Sequence, residues 1–278
     1  MIMQNGMNES PKVSVIMGIY NCAKTLPDSV DSILAQTYDN WELIMCDDAS
    51  TDKTYEVAKQ YADRYPYQIR LLHNQQNMRL AFSLNRCLEE ASGSLIARMD
   101  GDDISAPDRL KLQVEYLMAH PEYQVVGTAM RRFDESGFHN VMHPPLNPDR
   151  MIMRNRVPFF HATILMRKSA YEELGGYTVA DRTKRAEDLD LWFRFYNKGF
   201  AGNSIDEPLY FVREDSNAFR RRTARGRIEA FQILADGYKL LGFPKRWLIV
   251  PTLKMMFKCL VPYKFVEYYR AFQARTGR

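Results

Sequence analysis

Short apolar runs alternate with helix-spaced segments through the first half of the chain. Residues 13–17 form an apolar stretch between Pro11 and the turn-like Gly18-Ile19-Tyr20-Asn21, which predicts a buried first strand. Residues 26–36 carry Leu26, Val30, Ile33 and Leu34 at helical spacing. A second strand is predicted over 41–46. It stops at Asp47-Asp48-Ala49-Ser50, where Ser50 or Thr51 would cap the next helix with Asp52 in its first turn. The alternation continues with strand 69–72, helix 80–91, strand 95–99, a helix opened by Pro107 and reaching Ala119, and strand 123–127. Strand–helix alternation at this spacing implies parallel crossovers and a sheet covered on both faces. The fold class is therefore α/β. Ligands of such sheets bind beyond the carboxyl ends of the strands, and acid clusters stand at two of those ends.

Beyond residue 130 the pattern loosens. A Pro-rich loop from His143 leads to Pro158-Phe159-Phe160-His161 and an apolar strand over 162–166. A helix over 168–174 ends at Gly175-Gly176-Tyr177. Glu187-Asp188 opens another helix with Leu189, Trp192, Phe193 and Tyr196 on its apolar face, and residues 225–241 read as one amphipathic helix. The stretch 247–272 is basic and aromatic, with proline breaks expected at Pro251 and Pro262.

Composition narrows the class. Of 278 residues, 46% are hydrophobic and 26% charged, which is globular and argues against disorder. Cys22, Cys46, Cys87 and Cys259 lie far apart without metal-type spacing, so buried free thiols in a reducing compartment are expected. The polar start of the chain lacks the features of a secretory signal, and no window is apolar enough for a membrane-spanning helix. Charge is uneven. Residues 220–278 hold 14 Lys/Arg against 3 Asp/Glu, so a slightly acidic body carries a strongly basic tail. Nucleic acid or an anionic membrane surface would each suit such a tail.

Three groups of acids carry candidate chemistry. Asp100-Gly101-Asp102-Asp103 places three carboxylates in four residues, which repel unless a cation or water offsets them. Hard divalent ions bridge such carboxylates to a diphosphate, and Gly101 would admit a close ligand. A solvated acidic turn is the plainer reading of a lone DxD. At Asp47-Asp48 one carboxylate would accept the N3–H of a uracil, with Tyr20 stacked on the ring. The alternative is that Asp47 caps the next helix and Asp48 is solvated. Glu187-Asp188 at a helix start suits a general base, whose ionised form the helix terminus favours, although acids are common there.

Taken in order, these blocks resemble the inverting family 2 glycosyltransferases of the GT-A fold. The resemblance runs over residues 12–215. Its carriers are Val13-Ser14-Val15-Ile16 with Tyr20-Asn21, Ser32-Ile33-Leu34-Ala35-Gln36-Thr37, Asp47-Asp48-Ala49-Ser50-Thr51-Asp52, Ala97-Arg98-Met99-Asp100-Gly101-Asp102-Asp103, Pro107-Asp108-Arg109-Leu110, Gly175-Gly176-Tyr177 and Glu187-Asp188-Leu189-Asp190-Leu191-Trp192. It implies a Rossmann-like, mostly parallel sheet with helices on both faces, followed by a basic helical extension. Residues 1–219 would form the catalytic domain, with a nucleotide-binding half at 12–128 and an acceptor-side half at 129–219, and 220–278 the extension. It also implies that Tyr20 and Asp48 contact the nucleobase, that Asp100 lies near the ribose, and that Asp102 and Asp103 hold Mn2+ or Mg2+. Gly176 and Tyr177 would line the sugar pocket. Asp188 would be the catalytic base, with Glu187 positioning acceptor or base. The implied substrates are a nucleotide-sugar donor, with UDP favoured, and a saccharide or lipid-linked acceptor of a surface polysaccharide. The implied location is the cytoplasm, peripheral on the inner face of the plasma membrane.

Two departures stand out. Arg79 replaces a glycine of relatives beside the nucleotide, where it either contacts phosphate or points to solvent. Arg213-Glu214-Asp215 replaces an Arg-x-His, so a metal-side role would pass to Asp215 or be lost. His161 is either an acceptor-side contact or a satisfied buried histidine. Competing readings are a nucleotidyltransferase, for which no lysine stands in the first strand's turn, and a noncatalytic basic module. For the tail, Arg220, Arg221, Arg222, Arg225 and Arg227 would suit phosphates. Trp247, Phe257, Tyr263, Phe265, Tyr268 and Tyr269 among lysines fit a membrane interface better, so no nucleic-acid partner is expected. Packing of these aromatics on the body remains the plain alternative.

Overall fold

The computed structural model describes residues 10–184, 186–214 and 224–260. The chain opens β1 (Val13–Ile19), α1 (Leu26–Leu34), β2 (Trp41–Asp47), α2 (Thr54–Arg64), β3 (Ile69–His73), α3 (Leu80–Glu90) and β4 (Leu95–Arg98). It continues with β5 (Ile104–Ser105), α4 (Arg109–Ala119), β6 (Val125–Asp134), β7 (Gly137–Met142), β8 (Leu165–Arg167), α5 (Lys168–Leu174), α6 (Glu187–Asn197), β9 (Gly202–Arg213), α7 (Ala224–Leu240) and α8 (Ile249–Leu260). The strands form one sheet in the order β3-β2-β1-β4-β8-β6-β9-β5, with β7 hydrogen-bonded to β6. β3, β2, β1 and β4 run parallel, as the alternation requires. The other half is mixed. β8 is antiparallel to β4 and β6, while β9 is parallel to β6 and antiparallel to β5.

The period of two along each strand divides the core. Val13, Val15 and Met17 of β1 face one layer with Leu26, Val30 and Ile33 of α1 and Leu110, Val114 and Leu117 of α4. Ile16 faces the other, with Leu84 and Cys87 of α3, Ala170 of α5 and Trp192 and Phe195 of α6. Helices thus cover both faces. Ile233, Tyr238, Leu241 and Phe243 join that second layer, so α7 packs on the same core as the body. At Gly237 an added Cβ would lie 2.2 Å from the Phe193 ring, and only glycine lets α7 approach α6 this closely.

Several expectations shift. The strand expected over 162–166 is a 3₁₀ turn (His161–Thr163) followed by the short β8. β9 is a long strand that the pattern concealed, because its pairing with β6 is irregular where Asp206, Glu207 and Pro208 interrupt the apolar run. Pro251 does not break the tail; it sits in the first turn of α8, where its missing N–H costs nothing. Trp247 packs on the body, with the Arg154 guanidinium 3.9 Å from its ring centroid and Phe243 beside it. The side chain of Phe257 and residues 261–278, with Pro262 and the remaining tail aromatics, lie outside the described residues, as do Arg220, Arg221, Arg222 and the side chain of Arg225. Cys22, Cys46 and Cys87 are free, and Cys46 and Cys87 are buried. Among the described residues no helix is long and apolar enough to cross a membrane.

Candidate active site

The ends of β1, β2 and β4 and the start of α6 build one site. Tyr20, just beyond β1, is 47% exposed and offers a ring face for stacking. Its loop is stitched to the one after β2. Asn21 N donates to Ser50 Oγ at 3.0 Å, and Thr51 N donates to Asn21 Oδ1 at 2.8 Å. Ser50 and Thr51 are therefore used as bridges, and neither caps α2 as expected. The Thr54 amide at the start of α2 donates instead to Asp52 Oδ1 at 3.0 Å.

Asp48 is not solvated. It is 4% exposed and accepts from Asn74 Nδ2, Met78 N and Arg79 N at 2.7–2.8 Å. It anchors the 74–79 loop beside the crevice. Those amide bonds hold Arg79 at a φ of 77°, the left-handed region that favours glycine, with its side chain exposed. Asp47 is fully buried, pairs with His73 Nδ1 at 3.0 Å and accepts Ser50 N, so it fixes the turn rather than the helix.

β4 ends on Arg98, a buried guanidinium paired with Asp100. Asp103 Oδ1 accepts Arg213 N at 2.8 Å, and Arg213 Nε donates to the Asp102 carbonyl at 3.0 Å. The far end of β9 is thereby fastened onto the acid loop. Carboxylate oxygens of Asp100, Asp102 and Asp103 lie within 4.8 Å of one another. That all-oxygen set fits a hard divalent cation. Although Asp102 is exposed, partial desolvation of its carboxyl and then the Asp100 charge push it up to about 6, and burial and the same charge raise Asp103. Gly101 serves another purpose than the one expected. Its Cβ would lie 3.0 Å from Cys22 Sγ and Ile19 Cγ2, so glycine lets the acid loop pack on the first loop. Arg109 does not neutralise the acids directly. Fully buried, it donates to the Arg98 carbonyl at 2.7 Å and to Gln113, under the Tyr210 ring.

Glu187 and Asp188 open α6, half-buried. The helix terminus does not dominate their ionisation as the sequence suggested. Burial pushes Glu187 up to about 7, reinforced by the Asp188 charge and opposed by Arg98, and burial raises Asp188 too. The charges of Arg98 and Asp100 act on Glu187, so the start of α6 lies within electrostatic reach of the acid loop. Asp188 Oδ1 accepts the Leu189 amide at 2.8 Å.

The Gly176–Tyr177 segment is held from three sides. Asn85 of α3 donates from Nδ2 to the Tyr177 carbonyl and accepts the Tyr177 amide, both at 2.8 Å. Gly176 has a φ of 69°, and a Cβ there would lie 2.6 Å from Asn85 Oδ1. The Tyr177 hydroxyl is shared with Tyr171 at 2.9 Å and His161 Nε2 at 3.0 Å, so its hydrogen bonds are made within the protein. Burial, and then Arg98, push His161 down to about 3. It is a neutral, packed histidine against Trp192. Sequence reasoning missed the parts played by Asn74, Asn85 and Arg213. For Arg98 a signal existed, a charge ending an otherwise apolar strand. Asp215 lies outside the described residues, which stop at Glu214 on this side.

A mixed α/β sheet covered by helices on both faces, with acids at its parallel strand ends, is the architecture of GT-A glycosyltransferases. The family described as "Glycosyl transferase family 2" matches residues 14–175, and the chain belongs to it. It is 57% identical over 238 residues to the "Putative glycosyltransferase EpsE" of Bacillus subtilis (strain 168), covering 86% of each chain. The "Amylovoran biosynthesis glycosyltransferase AmsE" of Erwinia amylovora is 30% identical over 75% of this chain and 79% of its own. Over a shorter reach, 38% of this chain and 41% of the other, it is 40% identical to an Escherichia coli protein named "UDP-Glc:alpha-D-GlcNAc-diphosphoundecaprenol beta-1,3-glucosyltransferase WfgD". Among solved structures, S. aureus TarS 1-349 with UDP-GlcNAc superposes with a TM-score of 0.63 at 19% identity, over 82% of this chain and 72% of that one. The mannosyltransferase PcManGT from Pyrobaculum calidifontis with GDP-Man and Mn2+ gives 0.61 at 22%, over 90% and 70%. The fold is thus the GT-A fold, and the chain is a glycosyltransferase.

Proposed function

We propose that this glycosyltransferase moves a hexosyl or N-acetylhexosaminyl unit, with inversion, from a uridine diphosphate sugar to a hydroxyl of a saccharide or lipid-linked saccharide in surface polysaccharide synthesis. The observation that carries the reading is the cluster of Asp100, Asp102 and Asp103 carboxylates at the end of β4, with Glu187 of the second acid pair within electrostatic reach of Asp100. The relatives' names, with a UDP-sugar and a diphosphoundecaprenol acceptor among them, support donor, acceptor and pathway class.

Asp102, with Asp100 and Asp103, would hold Mn2+ or Mg2+, which supplies charge neutralisation for the leaving diphosphate. Tyr20 would stack on the base, and Asp48 sets the loop that flanks it. Burial raises both acids, Glu187 to about 7, while the Leu189 amide favours the ionised form of Asp188, the proposed base. Asp188 takes the acceptor proton as the acceptor oxygen forms its bond to the anomeric carbon. The bond to the diphosphate oxygen breaks on the opposite face, and no protein nucleophile is needed. Lipid-linked acceptors place the work at the inner face of the plasma membrane, with the protein peripheral and cytoplasmic.

A screen of UDP-sugars with Mn2+ should show donor turnover by the purified chain. Asp188→Asn should bind UDP with unchanged affinity in calorimetry while losing transfer. A large loss of UDP affinity in this variant would move Asp188 into the donor site and overturn its assignment as base.

A further inference from the structure

The described part of the tail ends in α8, which carries an apolar stripe with no cover among the described residues. Ile249, Val250, Leu253 and Met256 are 59%, 57%, 60% and 51% exposed, at positions i, i+1, i+4 and i+7 of one helix. This spacing puts them on a single face. Scattered exposed apolar residues are ordinary, but a contiguous stripe on one helix marks a docking surface.

The charge around the stripe identifies the occupant. Lys245 and Arg246 stand exposed just before the helix, and Lys254 is exposed within it. Between Asp236 and Glu267 the sequence has no acid, while Lys239, Lys245, Arg246, Lys254, Lys258 and Lys264 fall in that interval. A groove on a protein partner calls for no such exclusion of acids over thirty residues. An anionic bilayer does, since it attracts every cation near its surface and repels every carboxylate.

We infer that α8 is a membrane-docking element: its Ile249–Val250–Leu253–Met256 face enters the interfacial layer of an anionic bilayer while Lys245, Arg246 and Lys254 meet the headgroups. This deepens the peripheral location proposed above and rests on it only for the choice of leaflet. Because Ile233, Tyr238, Leu241 and Phe243 seat the preceding segment in the core, α8 hangs on a fixed support. The Trp247 ring, engaged by Arg154, is part of that support and not of the docking face.

Flotation of the full chain with phosphatidylglycerol-containing and pure phosphatidylcholine vesicles tests this without any sugar nucleotide. The wild type should float with the anionic vesicles only, less at high salt but not absent. Ile249→Asp with Leu253→Asp should reduce partition at least about tenfold at every salt concentration. Lys245→Gln, Arg246→Gln and Lys254→Gln together should reduce it about a hundredfold at low salt and little at high salt. Both variants should keep the wild-type melting temperature and UDP affinity, since every residue changed is exposed. Indifference of the wild type to anionic vesicles overturns the inference. So does a lowered melting temperature of the aspartate variant, which would mean the chain itself covers the face, or its conversion of a vesicle-free dimer to monomer, which would assign the face to a second copy. Loss of UDP-sugar turnover in the wild type would instead refute the catalytic reading and leave flotation unaffected.

Discussion

Replacing Asn85 by alanine removes both hydrogen bonds that hold Tyr177 to α3, and the structure sets the size of the effect. The Tyr177 amide and carbonyl each lose a 2.8 Å partner at a residue only 2% exposed. A buried backbone group left unpaired costs about 1–3 kcal/mol, so with two groups the segment loses about 2–6 kcal/mol of local stability. The hydroxyl contacts to Tyr171 and His161 persist, so the wall should loosen rather than detach. If this segment borders the sugar, kcat/KM for the donor should fall about 10- to 100-fold, while UDP, which lacks the sugar, should bind nearly as before. Gly176→Ala perturbs the same contact from the other side, by driving a Cβ to 2.6 Å from Asn85 Oδ1 at a φ of 69°. The double variant removes the obstructing oxygen, so the two losses should be less than additive in a double-mutant cycle, with the backbone strain of alanine remaining. Steady-state donor kinetics and UDP calorimetry on the three variants decide the matter. Donor kinetics within about twofold of wild type in Asn85→Ala, or strictly additive losses, would refute the latch.

Other substitutions probe the remaining groups. Asp102→Asn should cut metal-supported turnover at least about a hundredfold, and excess EDTA should silence the wild type; full activity in EDTA removes the cation from the scheme. Burial raises both Glu187, to about 7, and Asp188, so kcat/KM should fall on the acid side as Asp188, the proposed base, takes up a proton at a pH above the ordinary aspartate range. The same shift lets the folded state hold a proton that the unfolded state has released, so stability declines as pH rises from the ordinary carboxyl range through 7. Glu187→Gln should therefore raise the melting temperature at pH 8 and leave it nearly unchanged at pH 4; equal shifts at both would refute the assignment. Arg79→Gly should relieve about 1–2 kcal/mol of left-handed strain and raise the melting temperature. A simultaneous drop in UDP affinity would show that its guanidinium reaches the phosphates.

The parallel half of the sheet was legible because each buried strand there reads as an apolar run and each crossover as a helix, from residue 13 to Arg98. The acids at its rim were legible too, since Asp102 and Glu187 follow or open elements whose ends the pattern locates. What the pattern hid were long-range pairings. β9 turns aside at Pro208, yet it delivers Arg213 to the acid loop from 111 positions away. Asp48 was legible only as a nucleobase contact or a solvated acid, and Asn85 not at all, because nothing local says that the Arg79 amide or Tyr177 will come to meet them. The ionisation of Glu187 was misjudged for a similar reason. A helix terminus is a local fact, whereas the burial that outweighs it is assembled from distant segments.

The missing side chain at Gly237 joins two ends of the molecule that the sequence keeps fifty residues apart. α7 is 17 residues long, about 25 Å, and rests on α6 through that notch against Phe193. α6 carries Glu187 and Asp188 at its first turn, and α7 leads within ten residues to α8. The two helices pack as one unit, with Glu187 and Asp188 at one end and the exposed helix near the other. Any side chain at 237 prises the pair apart, so a substitution remote from the crevice and touching no substrate should register in the chemistry.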